Sequence, residues 1–130
     1  MGLKLCLIGY GKMGKMLANL ATNYDCTVVS IIDPQQNNYH SEISLQSIGE
    51  AEVCIDFSHP SVVLDNIQKV LSYKKNMVVG TTGWFDHLEE VQKMVENSAS
   101  GLIYGANFSI GMNIFNRLVA EATKAFDRFP

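Results

Sequence analysis

Leu3-Lys4-Leu5-Cys6-Leu7-Ile8-Gly9-Tyr10-Gly11-Lys12-Met13-Gly14 is the stretch that decides how this chain folds. Its first six residues form a mostly apolar run of strand length, and three glycines follow at intervals of two and three. Beyond them Met13, Met16, Leu17, Leu20 and Ala21 recur at helical spacing. A strand, a glycine turn and an amphipathic helix in that order give each glycine a physical task. Gly9 permits the tight turn, Gly11 lets backbone approach a diphosphate, and Gly14 lets the helix pack closely on the strand. The helix start then offers free N–H groups and the positive end of its dipole to an anion.

A second apolar run, Val28-Val29-Ser30-Ile31-Ile32, ends in Asp33, nineteen residues past Gly14. An acidic side chain there can accept both hydroxyls of an adenine ribose and repels a 2′-phosphate. Pro34 follows where an arginine could have welcomed one. The expected ligand is therefore NAD(H), with NADP(H) kept in view because Lys12 and Lys15 lie near enough to soften the preference.

Working outward, apolar runs at Leu3–Ile8, Thr27–Ile32, Glu52–Phe57, Met77–Gly80 and Leu102–Tyr104 read as strands. Helical stripes lie between and after them: Val63, Ile67, Val70 and Leu71; Leu88, Val91 and Val95; and Phe115, Leu118, Val119, Ala122 and Phe126. Asp86 and Glu89 are spaced like a capping box before the second of these. Pro60 reads as lying in the first turn of the first. The polar region Pro34–Gly49 carries at most a short strand near His40–Leu45. Strands alternating with helices give an α/β chain with a Rossmann-type, doubly wound and mainly parallel sheet.

Three strand ends carry polar or small residues: Asp56-Phe57-Ser58-His59-Pro60, Gly80-Thr81-Thr82-Gly83 and Gly105-Ala106-Asn107-Phe108-Ser109-Ile110-Gly111. Taken singly, each could be an ordinary turn or helix cap. All of them fall at the carboxyl ends of parallel strands, where open α/β sheets bind ligands. Trp84 after the glycine turn reads as a packing lid in preference to a stacking platform.

The charge balance excludes other classes. A formal net charge of −3, with lysines and arginines scattered singly or in pairs, leaves no basic patch for nucleic acid or a membrane surface. No apolar run reaches the ~18 residues of a membrane span. A cytoplasmic protein is the expectation. Cys6, Cys26 and Cys54 lie in or beside apolar runs without a CxxC and read as small core hydrophobes. His40, His59 and His87 have no metal-ligand spacing, and no metal is expected.

Together, Ile8-Gly9-Tyr10-Gly11-Lys12-Met13-Gly14, Asp56-Phe57-Ser58-His59-Pro60, Gly80-Thr81-Thr82-Gly83 and Ala106-Asn107-Phe108-Ser109-Ile110-Gly111 resemble the N-terminal domain of the dihydrodipicolinate reductases. The resemblance runs over essentially the whole chain, with the motifs in the family's order. It implies an NAD(P)H-dependent reductase of the diaminopimelate and lysine pathway, with a small dicarboxylate as substrate and a homo-oligomeric intact enzyme. It also implies roles. Ile8, Gly9, Tyr10, Gly11, Lys12, Met13 and Gly14 would hold the pyrophosphate, and Asp33 the adenine ribose. Phe57, Gly80, Thr81 and Thr82 would line the nicotinamide side, with Thr82 also reaching a substrate carboxylate. Gly105, Ala106, Asn107 and Phe108 would close around the nicotinamide ribose and ring.

Lys12 stands where the family often has arginine, and it supplies charge without a bidentate fork. The family's catalytic segment, a His-His pair with a lysine and a Ser-Gly-Thr anion loop, belongs to a following domain, and nothing in residues 1–130 replaces it. Residues 1–130 thus read as one dinucleotide-binding domain, the N-terminal part of a two-domain enzyme and inactive by itself. Two alternatives are a redox-sensing or regulatory NAD-binding module and a domain of an aspartate-dehydrogenase-like enzyme.

Overall fold

The computed structural model describes residues 2–129. Strand β1 (Leu3–Ile8) leads into helix α1 (Lys12–Leu20) and strand β2 (Cys26–Ile32). After the one-turn helix α2 (Leu45–Ile48) come β3 (Val53–Asp56), α3 (Val63–Ser72), β4 (Asn76–Val79), α4 (Leu88–Glu96), β5 (Leu102–Tyr104) and α5 (Ile110–Phe126). The five strands form one parallel sheet in the order β2-β1-β3-β4-β5.

The chain steps from β1 to β2 in one direction and from β2 through β5 in the other. Right-handed crossovers therefore place α1 on one face and α2, α3 and α4 on the other. The α3 face is closed. Cys6, Ile8, Ile32, Cys54, Met77 and Val79 of the sheet pack with Ile43, Ile48, Val63, Ile67, Val70, Leu71 and Val91 in one buried cluster. Burying a side chain such as Ile67 contributes roughly 1.5–3 kcal/mol. On the α1 face Leu5 and Leu7 are buried, but Met13, Met16, Leu20 and Ile103 remain exposed. Helix α5 leaves the body of the domain, and its stripe of Phe115, Leu118, Val119 and Phe126 has no partner among the described residues.

Several expectations need correction. The strand near His40–Leu45 is reduced to a single bridge between Ile32 and His40. Asp86 lies in a 3-10 turn, Phe85–His87, and no side chain caps α4. The capping box is instead at α2, where Ser44 and Ser47 exchange side-chain and backbone bonds. Pro60 precedes α3, in a turn closed by the Val62 N–H donating to the His59 carbonyl. Cys6 and Cys54 are fully buried free thiols in register on β1 and β3, as small hydrophobes would be. The Cys6 thiol and burial together push the Cys54 thiol up. No helix among the described residues is long and apolar enough to cross a membrane.

Candidate functional site

Strand register puts the quoted motifs side by side. Ile32, Ile8, Asp56, Val79 and Tyr104 pair as one row across the sheet. One residue beyond that row stand Asp33, Gly9, Phe57, Gly80 and Gly105. The ladder continues through them: the N–H groups of Gly9, Phe57, Gly80 and Gly105 donate to the carbonyls of Ile32, Ile8, Asp56 and Val79. Because β1 is where the chain reverses its stepping direction, this edge opens the crevice that α/β sheets use for ligands.

The β1–α1 loop forms one half of the edge. Gly9 has φ +87°, and a Cβ there would stand 2.4 Å from the Phe57 carbonyl oxygen, so only glycine fits. A Cβ on Gly14 would stand 2.3 Å from the Gly9 oxygen, which is the close helix–strand approach expected of it. A Cβ on Gly11 would meet nothing within 4 Å; that surface is open. Helix α1 begins at once, with no side-chain cap and no acidic residue in its first turn. The first-turn amides of Lys12, Met13 and Gly14 consequently have no partner inside the helix. The Ile8 side chain lies in the core, leaving only its backbone for the loop.

Asp33 closes this half. Its carboxylate accepts from the Tyr10 N–H (2.8 Å), the Gln35 N–H (2.9 Å) and Gln36 Nε2 (3.0 Å). Gln36 Nε2 also donates to the Tyr10 carbonyl at 3.0 Å, tying the two loops together. Burial pushes the Asp33 carboxyl up, but those donors and nearby Lys15 outweigh it and hold it below its ordinary value. Three of roughly four acceptor positions on a carboxylate are thus engaged. Gln36 was not among the residues picked out from the sequence; its glutamine-rich surroundings gave no signal.

The other half is organised around Asp56, the last residue of β3, whose side chain is fully buried. Asp56 Oδ1 accepts from Ser58 N (3.0 Å), Ser58 Oγ (2.7 Å) and Thr81 Oγ1 (2.6 Å), while Oδ2 accepts from Asn66 Nδ2 of α3 (2.8 Å). Thr81 Oγ1 in turn accepts from Ser58 N at 2.9 Å. The Thr81 hydroxyl is therefore committed inward. Trp84, 1 % exposed, donates its indole N–H to the Thr81 carbonyl at 2.8 Å and packs against Phe85 and Tyr104. The ring of Trp84 is a packing element, as expected.

Thr82 is exposed. The Phe57 ring lies where a Cβ on Gly80 would need to be, 2.1 Å from that position. The Phe108 ring packs 3.3 Å from where a Cβ on Gly105 would stand and meets Phe57 edge to face at 6.3 Å. Asn107 Oδ1 accepts from the Ser109 N–H, and Ser109 itself caps α5. Of His59, Nδ1 accepts from the Ser61 N–H at 3.2 Å, which ties the ring into the turn before α3. The signal for Asp56 was present in the sequence: it shares strand parity with Cys54, and an aspartate on a core face must have donors.

A family model described as dihydrodipicolinate reductase, N-terminus, matches residues 3–108. The chain belongs to the dihydrodipicolinate reductase family. Among relatives, the 4-hydroxy-tetrahydrodipicolinate reductase of Christiangramia forsetii is 33 % identical over 116 residues, covering 89 % of this chain and 46 % of that protein. That of Zymomonas mobilis is 34 % identical over 123 residues, covering 92 % and 47 %. The chain thus spans about half the length of the curated reductases it matches.

Among solved structures, a dipicolinate-bound dihydrodipicolinate reductase from Paenisporosarcina sp. TG-14 superposes with a TM-score of 0.69 at 22 % identity. It covers 85 % of this chain and 49 % of that one. A hyperthermophilic archaeal homoserine dehydrogenase in complex with NADPH gives 0.62 at 14 %, covering 80 % and 44 %. At these identities the likeness is one of fold, and both share the Rossmann-like sheet of this dihydrodipicolinate reductase domain.

Proposed function

We propose that this chain is the cofactor-binding half of a reductase that passes a hydride from NAD(P)H to a dihydrodipicolinate-type cyclic dicarboxylate, giving tetrahydrodipicolinate for diaminopimelate and lysine synthesis. The observation that carries the reading is the single row Asp33, Gly9, Phe57, Gly80, Gly105 at the sheet's carboxyl edge, combined with membership of the family. The residues present fit a dinucleotide. Gly11 leaves room that any side chain would fill, beside uncapped first-turn amides suited to a diphosphate. When bound, the nicotinamide supplies the hydride.

In this reading the chain's residues divide the work along the edge. The segment Ile8–Gly14 receives the pyrophosphate through backbone amides, with Lys12 and Met13 at the helix start. Asp33 offers its remaining acceptor position to the adenine ribose diol and repels a 2′-phosphate, so NADH binds more tightly than NADPH. Lys15, close enough to act on the Asp33 charge, moderates that preference. Phe57 and Phe108 form an apolar wall on the nicotinamide side, and Gly105, Ala106 and Asn107 close around its ribose. The free Thr82 hydroxyl donates to a substrate carboxylate.

Hydride addition to a ring carbon leaves negative charge that needs a proton donor and cationic partners for the carboxylates. The Thr81 hydroxyl is engaged by Asp56, Thr82 is a neutral donor, and His59 is tied into its turn. The 130-residue chain therefore binds cofactor and does not turn over substrate. A segment of the intact, homo-oligomeric cytoplasmic enzyme outside residues 1–130 completes the site. The test is NADH oxidation by the purified chain with freshly generated substrate. The expected result is no turnover, a loss on the order of 10⁴ or more against an intact reductase. Robust turnover would place a catalytic group inside this chain, with His59 the first to replace.

A further inference from the structure

We propose that Asp56 is the positioning residue for the nicotinamide half of this edge, acting through Thr81 and Ser58 to set where Phe57 and Thr82 stand. The inference rests on the cofactor seat described under Proposed function and adds to it a residue that touches no ligand. Asp56 is sealed from solvent and has four hydrogen-bonding contacts, every one of them a donor: Ser58 N, Ser58 Oγ, Thr81 Oγ1 and Asn66 Nδ2. An acceptor-only carboxylate satisfies that set, and no other side chain of the same shape does.

The network has a direction. Asn66 projects from α3 in the closed core, itself 9 % exposed, and fixes one oxygen of the carboxylate. The second oxygen gathers the start of the Phe57–Ser58 turn and the Thr81 hydroxyl, which belong to two neighbouring strand ends. Phe57 lies between the Asp56 and Ser58 anchors, with its ring against Gly80. On the far side Trp84 holds the Thr81 carbonyl. Thr81 is thus gripped at hydroxyl and carbonyl, leaving Thr82 as the exposed member of the pair. Asp33 shares no hydrogen bond with this network, and the β1–α1 loop meets it only where Gly9 packs on the Phe57–Ser58 backbone, so the adenosine end of the seat feels a change in it least.

Asp56→Asn is the isosteric probe. If its amide oxygen keeps the Ser58 and Thr81 donors, its NH₂ group confronts Asn66 Nδ2, donor against donor. Asp56→Asn/Asn66→Asp returns one carboxylate to the pair and restores a donor–acceptor match. The ligands are NADH and ADP-ribose, which keeps the adenosine and diphosphate but lacks the nicotinamide ring, both titrated into the 130-residue chain. Asp56→Asn should weaken NADH about tenfold, change ADP-ribose by less than about twofold, and abolish any enhancement of NADH fluorescence on binding. The double variant should recover most of the NADH affinity. Thr81→Val, which cuts the same link with less risk to folding, should show the same selective loss to a smaller degree.

Equal losses for both ligands, or no loss of NADH affinity in folded Asp56→Asn and Thr81→Val, would overturn this assignment and leave the cofactor seat standing. If the unaltered chain bound neither ligand, the seat would fall and the assignment with it.

Discussion

Asp33 and Asp56 end neighbouring stretches of the same sheet, on either side of β1, and their environments differ. Asp33 is 8 % exposed at the mouth of the β1–α1 loop, bonded to two backbone amides and to the movable side chain of Gln36. Asp56 is sealed at 0 %, and three of its contacts come from the side chains of Ser58, Thr81 and Asn66. One carboxylate keeps acceptor capacity at the surface, where a ligand can use it. The other is consumed by its own chain and holds the strand ends in place. Burial and the count of engaged lone pairs separate the two carboxylates, and so does register, since Asp33 stands one residue beyond the row that contains Asp56.

The largest expected difference is in stability. Asp56→Ala leaves the Ser58 and Thr81 hydroxyls without their acceptor in a dry site and takes from Ser58 N and Asn66 Nδ2 one of their two partners, a loss of about 3 kcal/mol. Asp33→Ala frees amides that water can reach and should cost about 1 kcal/mol. Urea unfolding of the two variants measures both, and equal losses would erase the distinction.

Cofactor choice should reverse the ranking. Asp33→Ala should narrow the NADH-over-NADPH preference by roughly tenfold, about 1.4 kcal/mol, whereas Asp56→Asn should leave that ratio unchanged. Titrations with both dinucleotides decide it, and equal affinities in the unaltered chain would remove the proposed NADH preference.

The smallest effect concerns acid. The Asp33 carboxyl is held below its ordinary value in the fold. Its contribution to stability is therefore present above the unfolded value of about 3.9 and is lost as pH falls through the lower folded one. Asp33→Asn lacks that contribution, so the stability gap between the chain and the variant should shrink below about pH 4. A gap that stays constant from pH 6 to 3 would contradict the Asp33 hydrogen-bond account.

Much of this edge was legible because its signals are local. Leu3–Ile8, the three glycines and the stripes of α3 each declare themselves within one element, and the strand bounds differ from the sequence reading by at most one residue at either end. What escaped is non-local. Asp56 finds Asn66 ten residues away and Thr81 twenty-five away, so those partners could not be read from its own motif. The Asp86–Glu89 spacing had the form of a cap, but the chain enters α4 through a 3-10 turn that directs Asp86 elsewhere. Periodicity located α5 and could not say that its apolar face lies uncovered among the described residues.

The central claim is that the β1–α1 loop seats the diphosphate of a nicotinamide dinucleotide, and Gly11 tests it with least ambiguity. A side chain at Gly11 enters open space and should leave the fold intact, unlike one at Gly14, which would strike the Gly9 carbonyl. Calorimetric titration of NADH into the unaltered chain and into Gly11→Val, with circular dichroism of both, is the measurement. One NADH should bind per unaltered chain, and binding should weaken by about a hundredfold or more (about 2.7 kcal/mol) in a variant with the native spectrum. Unchanged NADH affinity in a natively folded Gly11→Val chain would contradict it.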